Sequence, residues 1–98
     1  MFVDDRSIFL YWSGVADLNR DEVEDIIQEA LGDDGEVTGG GAGMNRVNID
    51  VEIYDADRSA LVFRRVSAVV ATIGLPDNAY WKWEYADTPI PVRTALDT

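Results

Sequence analysis

The sequence contains no cysteine and no histidine, and these two absences exclude much of the chemistry open to a small protein. Without cysteine there can be no disulfide framework, no thiol nucleophile and no cysteine-bound iron–sulfur cluster. Without histidine the commonest general base is missing. The sequence therefore predicts a protein that is not an enzyme and that carries no metal or other cofactor.

Long apolar runs and positive charges are also scarce. No stretch approaches the roughly 18 apolar residues of a transmembrane helix, and residues 1–6 lack the features of a secretion signal. We therefore expect a cytoplasmic protein without membrane association. The 8 basic residues face 19 acidic ones, which gives a net charge of −11. Such a protein repels phosphate backbones, so no nucleic-acid partner is expected.

The acidity has two competing explanations. Thirteen aspartates outnumber six glutamates, and seven arginines outnumber one lysine, as in proteins of GC-rich or salt-adapted hosts. The functional explanation is an acidic surface that meets a basic partner. Residues 20–36 contain eight acids and one cation, and this stretch is either a solvated helix face or a surface that steers a basic partner. The sequence alone leaves both open.

Hydrophobic periodicity predicts a strand-helix-strand-strand-helix-strand order. A central strand covers residues 7–12, and strict alternation marks another at 47–54. Asn19 starts a capping box for the first helix, and Asp55 or Asp57 caps the second. The stretch that begins at Asp55 resembles the start of a calcium-binding loop, but it lacks the glycine and the glutamate that such a loop carries at later positions.

The glycine-rich segment and the C-terminal segment are the less regular parts of the chain. Residues 36–41 predict a weak edge strand, and Gly39–Gly43 predict a bulged, mobile hairpin connection. Alternation at 79–85 places the tryptophans toward the helices. We expect residues 1–85 to form a single α+β domain. Residues 86–98, with two prolines, are expected to form an extended tail rather than a paired strand.

This element order resembles the ferredoxin-like fold over about residues 7–85. The resemblance implies an α+β βαββαβ sandwich, with a four-stranded antiparallel sheet in the order 4-1-3-2 and two helices on one face. The other face of the sheet would lie open. By alternation, that open face would show these residues: Phe9, Tyr11, Asn48, Asp50, Glu52, Tyr54, Tyr80, Lys82 and Glu84.

In size, charge and fold the chain also resembles small bacterial or phage proteins of the immunity or inhibitor type. That resemblance implies a non-enzymatic, acidic protein-binding module for a basic partner. The acids would pair with arginine or lysine, and the aromatics would supply buried contact area. The candidate partner-binding residues are Phe9, Tyr11, Asp21, Glu24, Asp25, Asp50 and Glu52.

Four alternatives remain at this level. The chain is a small-molecule-sensing regulatory domain that acts as a dimer, with the Gly39–Gly43 segment closing over the ligand. In the second alternative the chain forms a homodimer through the open sheet face. In the third it is a structural domain whose charge only reflects its host. A fourth possibility concerns the tail, which would fold over Phe9 and Tyr11 and cover them.

Overall fold

The computed structural model describes residues 6–14 and 16–92, which form two helices and a five-stranded antiparallel sheet. The α+β class predicted from the sequence is confirmed. Within the described part of the chain, each helix is too short or too polar to cross a membrane. The elements are β1 (Ser7–Ser13), α1 (Arg20–Leu31), β2 (Gly35–Gly43), β3 (Arg46–Ile53), α2 (Ser59–Val70), β4 (Tyr80–Trp83) and β5 (Ile90–Pro91).

The strand order is β2-β3-β1-β4-β5, and every neighbouring pair is antiparallel. Read from the other edge this is 5-4-1-3-2, so the predicted four-stranded sheet in the order 4-1-3-2 is wrong in its strand count and incomplete in its order. The additional strand, β5, lies outside β4. The sheet therefore continues past residue 85, where the domain was expected to end.

β5 forms despite its prolines because of where their nitrogens point. The amide of Val92 donates to the carbonyl of Ala79 at 3.0 Å, and Ile90 pairs with Trp81. In an antiparallel pair alternate residues direct their amides to the partner strand, so the nitrogens of Pro89 and Pro91 face away from β4. The expectation of an unpaired tail is wrong for this segment, while residues 93–98 lie outside the described residues.

The glycine segment is part of a strand rather than a hairpin connection. β2 runs to Gly43, and the turn itself is Met44–Asn45, with positive φ at both residues as in a type I′ turn. The predicted bulge exists, but it lies earlier, at Thr38. At Gly40 a Cβ atom would lie 2.7 Å from the carbonyl oxygen of Asn48, so the close approach of β3 requires glycine there.

The core lies between the sheet and the two helices. Ile8, Leu10 and Trp12 alternate into it from β1, and α1 and α2 contribute buried aliphatic side chains at helical spacing. Trp81 is fully buried and meets the ring of Phe63 edge-on, with centroids 5.5 Å apart. The tryptophans thus face the helices, as the sequence predicted.

The ends of α1 are fixed by side-chain hydrogen bonds. Asn19 and Glu22 form the predicted reciprocal capping box at the start. At the other end Arg65 of α2 donates to the carbonyl oxygens of Ala30 and Leu31 and to the carboxylate of Asp34. A cation at the C-terminal end of a helix satisfies its free carbonyls, so this contact joins the two helices.

The Val92→Ala substitution tests whether β5 belongs to the folded domain. Val92 is 5% exposed and belongs to the core. We expect this substitution to lower the free energy of unfolding by about 2 kcal/mol, because buried methyl groups and their packing are lost. Val69→Ala, on the exposed side of α2, is the control and should stay within about 0.5 kcal/mol of the wild type. Equal effects in urea denaturation would show that β5 is not packed as described.

Candidate functional site

The side of the sheet opposite the helices carries a row of aromatic rings; we call this side the open face. Tyr11 and Tyr80 lie opposite each other on β1 and β4, and their rings stack with centroids 5.1 Å apart. The ring of Phe9 lies next to that of Tyr11, with centroids 6.3 Å apart. All three rings are half-buried. The helices pack on the other face, so no described helix or strand covers this row.

The described part of the C-terminal segment does not cover the aromatic row. Its strand, β5, lies beside β4 in the plane of the sheet, and Val92 turns into the core. The expectation that this segment folds over Phe9 and Tyr11 is therefore wrong up to residue 92. Phe9 and Tyr11 lie on the face opposite the core, because residues next to each other in a strand point to opposite faces.

Carboxylates lie beside the aromatic row on β3. Asp50 is paired in register with Phe9, and Glu52 with Ser7. Asn48 donates from Nδ2 to Oδ1 of Asp50 at 3.0 Å, which fixes the orientation of this carboxylate. Lys82 is the register partner of Phe9 on the β4 side. Acids of the open face thus lie on β3, with Glu36 of β2 opposite Glu52, and the ammonium group of Lys82 lies across the rings from Asp50.

The glycines of β2 leave the carboxylate side of this face open. Gly39 and Gly41 are the register partners of Asp50 and Asn48, and neither has a side chain that could cover them. A group that approaches from the β2 edge can therefore reach the carboxylate of Asp50. Further along β2, the hydroxyl of Tyr54 donates to Oε1 of Glu36 at 3.1 Å, and this bond raises the pKa of Tyr54.

The acids of α1 form a separate surface in the helix layer, on the other side of the sheet. Asp21 and Asp25 are exposed, whereas Glu24 is half-buried and its Oε2 lies 3.6 Å from Nε of Arg20. Nη2 of Arg20 also lies 3.6 Å from Oδ1 of Asp21. The acidic surface of α1 thus contains one cation, Arg20, that lies close to two of its acids.

The structure therefore divides the seven predicted partner-binding residues into two groups. Phe9, Tyr11, Asp50 and Glu52 share the open face, while Asp21, Glu24 and Asp25 lie on α1. Tyr80 joins the first group, and β-strand alternation had placed it on this face without marking it as a site residue.

The residues at the turn end of the open face include two that the sequence did not mark, Arg46 and Asn78. They meet Tyr11 and Tyr80 around a depression of about 320 Å³. Asn78 reaches β1 from the loop before β4, accepting from the Ser13 amide at 2.9 Å and donating to the Ser13 carbonyl at 3.1 Å. Ser13 and Asn78 are 65 positions apart in the chain, so local sequence patterns could not have predicted that they lie together.

The remaining candidates have structural explanations. Asp55 accepts a hydrogen bond from the amide of Asp57 at 2.9 Å and caps a short 3-10 turn. Within residues 6–14 and 16–92, no cluster of three or more acidic residues is arranged to hold a metal ion. The Gly39–Gly43 segment pairs with β3 throughout, so it is not a loop that could close over a ligand.

Comparison with known proteins does not assign a family to this arrangement. No protein-family model matches the chain, and comparisons with curated proteins and with solved structures gave no significant match. The geometry of the two faces is thus the basis for any functional proposal.

The titration of Tyr11 tests the packing of the aromatic row. Burial, followed by the neighbouring Tyr80 and Asp50, raises the pKa of Tyr11. A raised folded-state pKa stabilises the protein fully below about pH 10, and this contribution is lost as the pH rises through the folded pKa. We expect the free energy of unfolding to fall above about pH 10, and to fall less steeply in Tyr11→Phe. Urea denaturation across this range measures both slopes; identical slopes would place the Tyr11 hydroxyl in bulk solvent.

Proposed function

We propose that the protein is a binding module of ferredoxin-like type that recognises a basic protein through its open face, as an inhibitor or immunity-type protein would. One observation carries the proposal: an uncovered row of three aromatic rings lies directly beside the carboxylates of β3. Aromatic side chains supply most of the energy at many protein interfaces. The acids beside them select the charge of the partner.

The chemistry of this pairing suits arginine in particular. A guanidinium group stacks on an aromatic face and at the same time donates to a carboxylate. On the open face, the ring of Phe9 and the carboxylate of Asp50 are cross-strand neighbours that offer both contacts. Side chains on opposite residues of an antiparallel pair lie about 5 Å apart at Cβ, within reach of one guanidinium group.

Charge favours a basic partner over a second copy of the chain. In a homodimer through the open face, Asp50 and Glu52 of one protomer would face an equally acidic surface of the other. Like charges brought together at an interface cost several kcal/mol of binding free energy. Lys82 and, at the turn end, Arg46 are the cations on the described part of this face. The net charge of −11 on each copy still opposes the approach of a second one. A second copy is therefore the less favourable occupant.

The acids of α1 have a different role in this proposal. Asp21 and Asp25 lie on the opposite side of the sheet, so a partner that covers the open face does not touch them directly. Their field, with the net charge of −11, attracts a basic protein over a distance of about one Debye length, roughly 10 Å at 0.1 M salt. Charges of this kind raise the association rate more than they slow dissociation.

Two variants with the same change in charge separate these roles. Asp50→Asn with Glu52→Gln removes two carboxylates from the open face, and Asp21→Asn with Asp25→Asn removes two from α1. Wild type and both variants would be immobilised and exposed to host lysate at about 50 mM salt. A basic protein that wild type retains would then be purified for binding kinetics.

We expect the open-face variant to raise the dissociation rate about tenfold, which corresponds to roughly 1.4 kcal/mol. The α1 variant should chiefly lower the association rate, and only at low salt. Phe9→Ala in the open-face background should weaken binding further. The proposal fails if wild type retains no basic protein, or if the two charge variants weaken binding equally, because the acids would then act only through net charge.

A further inference from the structure

The depression at the turn end of the open face has a charge opposite to that of the rest of the protein. Its described lining contains Tyr11, Ser13, Arg46, Asn48, Asn78 and Tyr80, together with Trp12 and Val47, whose side chains turn toward the core, and no acidic residue. In a chain with 19 acids among 98 residues, Arg46 is the one charged residue of this described lining, and the carboxylate of Asp50 lies outside the lining, bonded to Asn48. A cation beside polar amides and stacked rings is suited to an anion.

Arg46, like Arg6 and Arg64, has no acidic partner among the described residues. Arg20, Arg58 and Arg65 each lie within 4.0 Å of a carboxylate. Arg46 forms no ion pair with any residue that the structure describes, although Asp50 lies on the same face of the same strand. Its guanidinium group is exposed and keeps its hydrogen-bond donors available to a ligand.

The walls of the depression are held in place by hydrogen bonds. Asn78 clamps both backbone groups of Ser13. The amide of Gly14 donates to the carbonyl of Asn45 at 2.9 Å, which ties the end of β1 to the hairpin turn. Preformed walls lower the entropic cost of binding a small ligand.

We propose that this depression binds a small aromatic monocarboxylate. The ring of the ligand packs against the stacked pair Tyr11–Tyr80, and its carboxylate accepts two hydrogen bonds from Arg46, the geometry in which arginine binds carboxylates best. A volume of about 320 Å³ lies at the small end of ligand sites, which limits the ligand to one or two rings.

This site goes beyond the proposed protein-binding function, although the two share the rings of Tyr11 and Tyr80. It selects an anion at the Arg46 end of the open face, whereas the carboxylates of Asp50 and Glu52 select a cation further along the same strand. Asp50→Asn also replaces the carboxylate that is bonded to Asn48 in the lining, so benzoate binding is measured in the wild type and in Arg46→Gln rather than in that variant. The failure of either proposal would not imply the failure of the other.

The test uses three probes of similar shape on the ¹⁵N-labelled protein: benzoate, benzamide and cyclohexanecarboxylate. We expect benzoate to shift the amide signals of residues 11–14, 46–48 and 78–80 in a saturable manner, with a Kd below about 10 mM. Benzamide, which lacks the charge, should bind at least tenfold more weakly. Cyclohexanecarboxylate, which lacks the aromatic ring, should also bind more weakly than benzoate.

The matched variants are Arg46→Gln and Arg64→Gln, since Arg64 is an exposed arginine on α2 away from the depression. Arg46→Gln should weaken benzoate binding at least tenfold, and Arg64→Gln should leave it unchanged, with the amide spectra of both showing a retained fold. The proposal is overturned if benzoate gives no saturable shifts at this end of the sheet, if benzamide binds equally well, or if Arg46→Gln binds benzoate like the wild type.

Discussion

The pairing of β1 with a strand on each side is the constraint on which both the core and the open face depend. Because β3 and β4 fix its register, Ile8, Leu10 and Trp12 enter the core while Phe9 and Tyr11 point to the other face. A shift of one residue would exchange these two sets. Both faces of β1 are rich in apolar side chains, so hydrophobicity alone does not select the register. The alternation of β3 and the tryptophans of β4 decide it.

The two faces of this sheet hold the two groups of acids apart. Acids of α1 lie in the helix layer, where they set the long-range field. Acids of β3 lie beside the aromatic row, where they can contact a partner. The bare backbone of β2 at Gly39 and Gly41 leaves them accessible from one edge, and Arg46 at the turn end lines the depression proposed to bind an anion. One sheet thus offers two adjoining surfaces of opposite charge.

Local sequence signals predicted the helices, the alternation of β3, the direction of the tryptophans and the membership of the open face. They failed where the outcome depends on a distant partner strand. β5 forms because the nitrogens of Pro89 and Pro91 face away from β4, and that parity is set by the pairing of Val92 with Ala79. Similarly, the depression forms because the sheet brings Arg46 and Asn78 to the same end of β1. The sequence-based prediction already placed the helices on one face and Asp50 and Glu52 on the other, but it joined the acids of both faces in one set of partner-binding residues.

The most direct measurement compares the free energy of unfolding of Leu10→Ala and Phe9→Ala by urea denaturation. Leu10 is completely buried and Phe9 is half-buried on the open face. The predicted loss is about 3 kcal/mol for Leu10→Ala and about 1 kcal/mol for Phe9→Ala, with the amide spectrum of the latter showing a retained fold. A larger loss for Phe9→Ala, or equal losses for both, would contradict the register of β1 and with it the assignment of the open face.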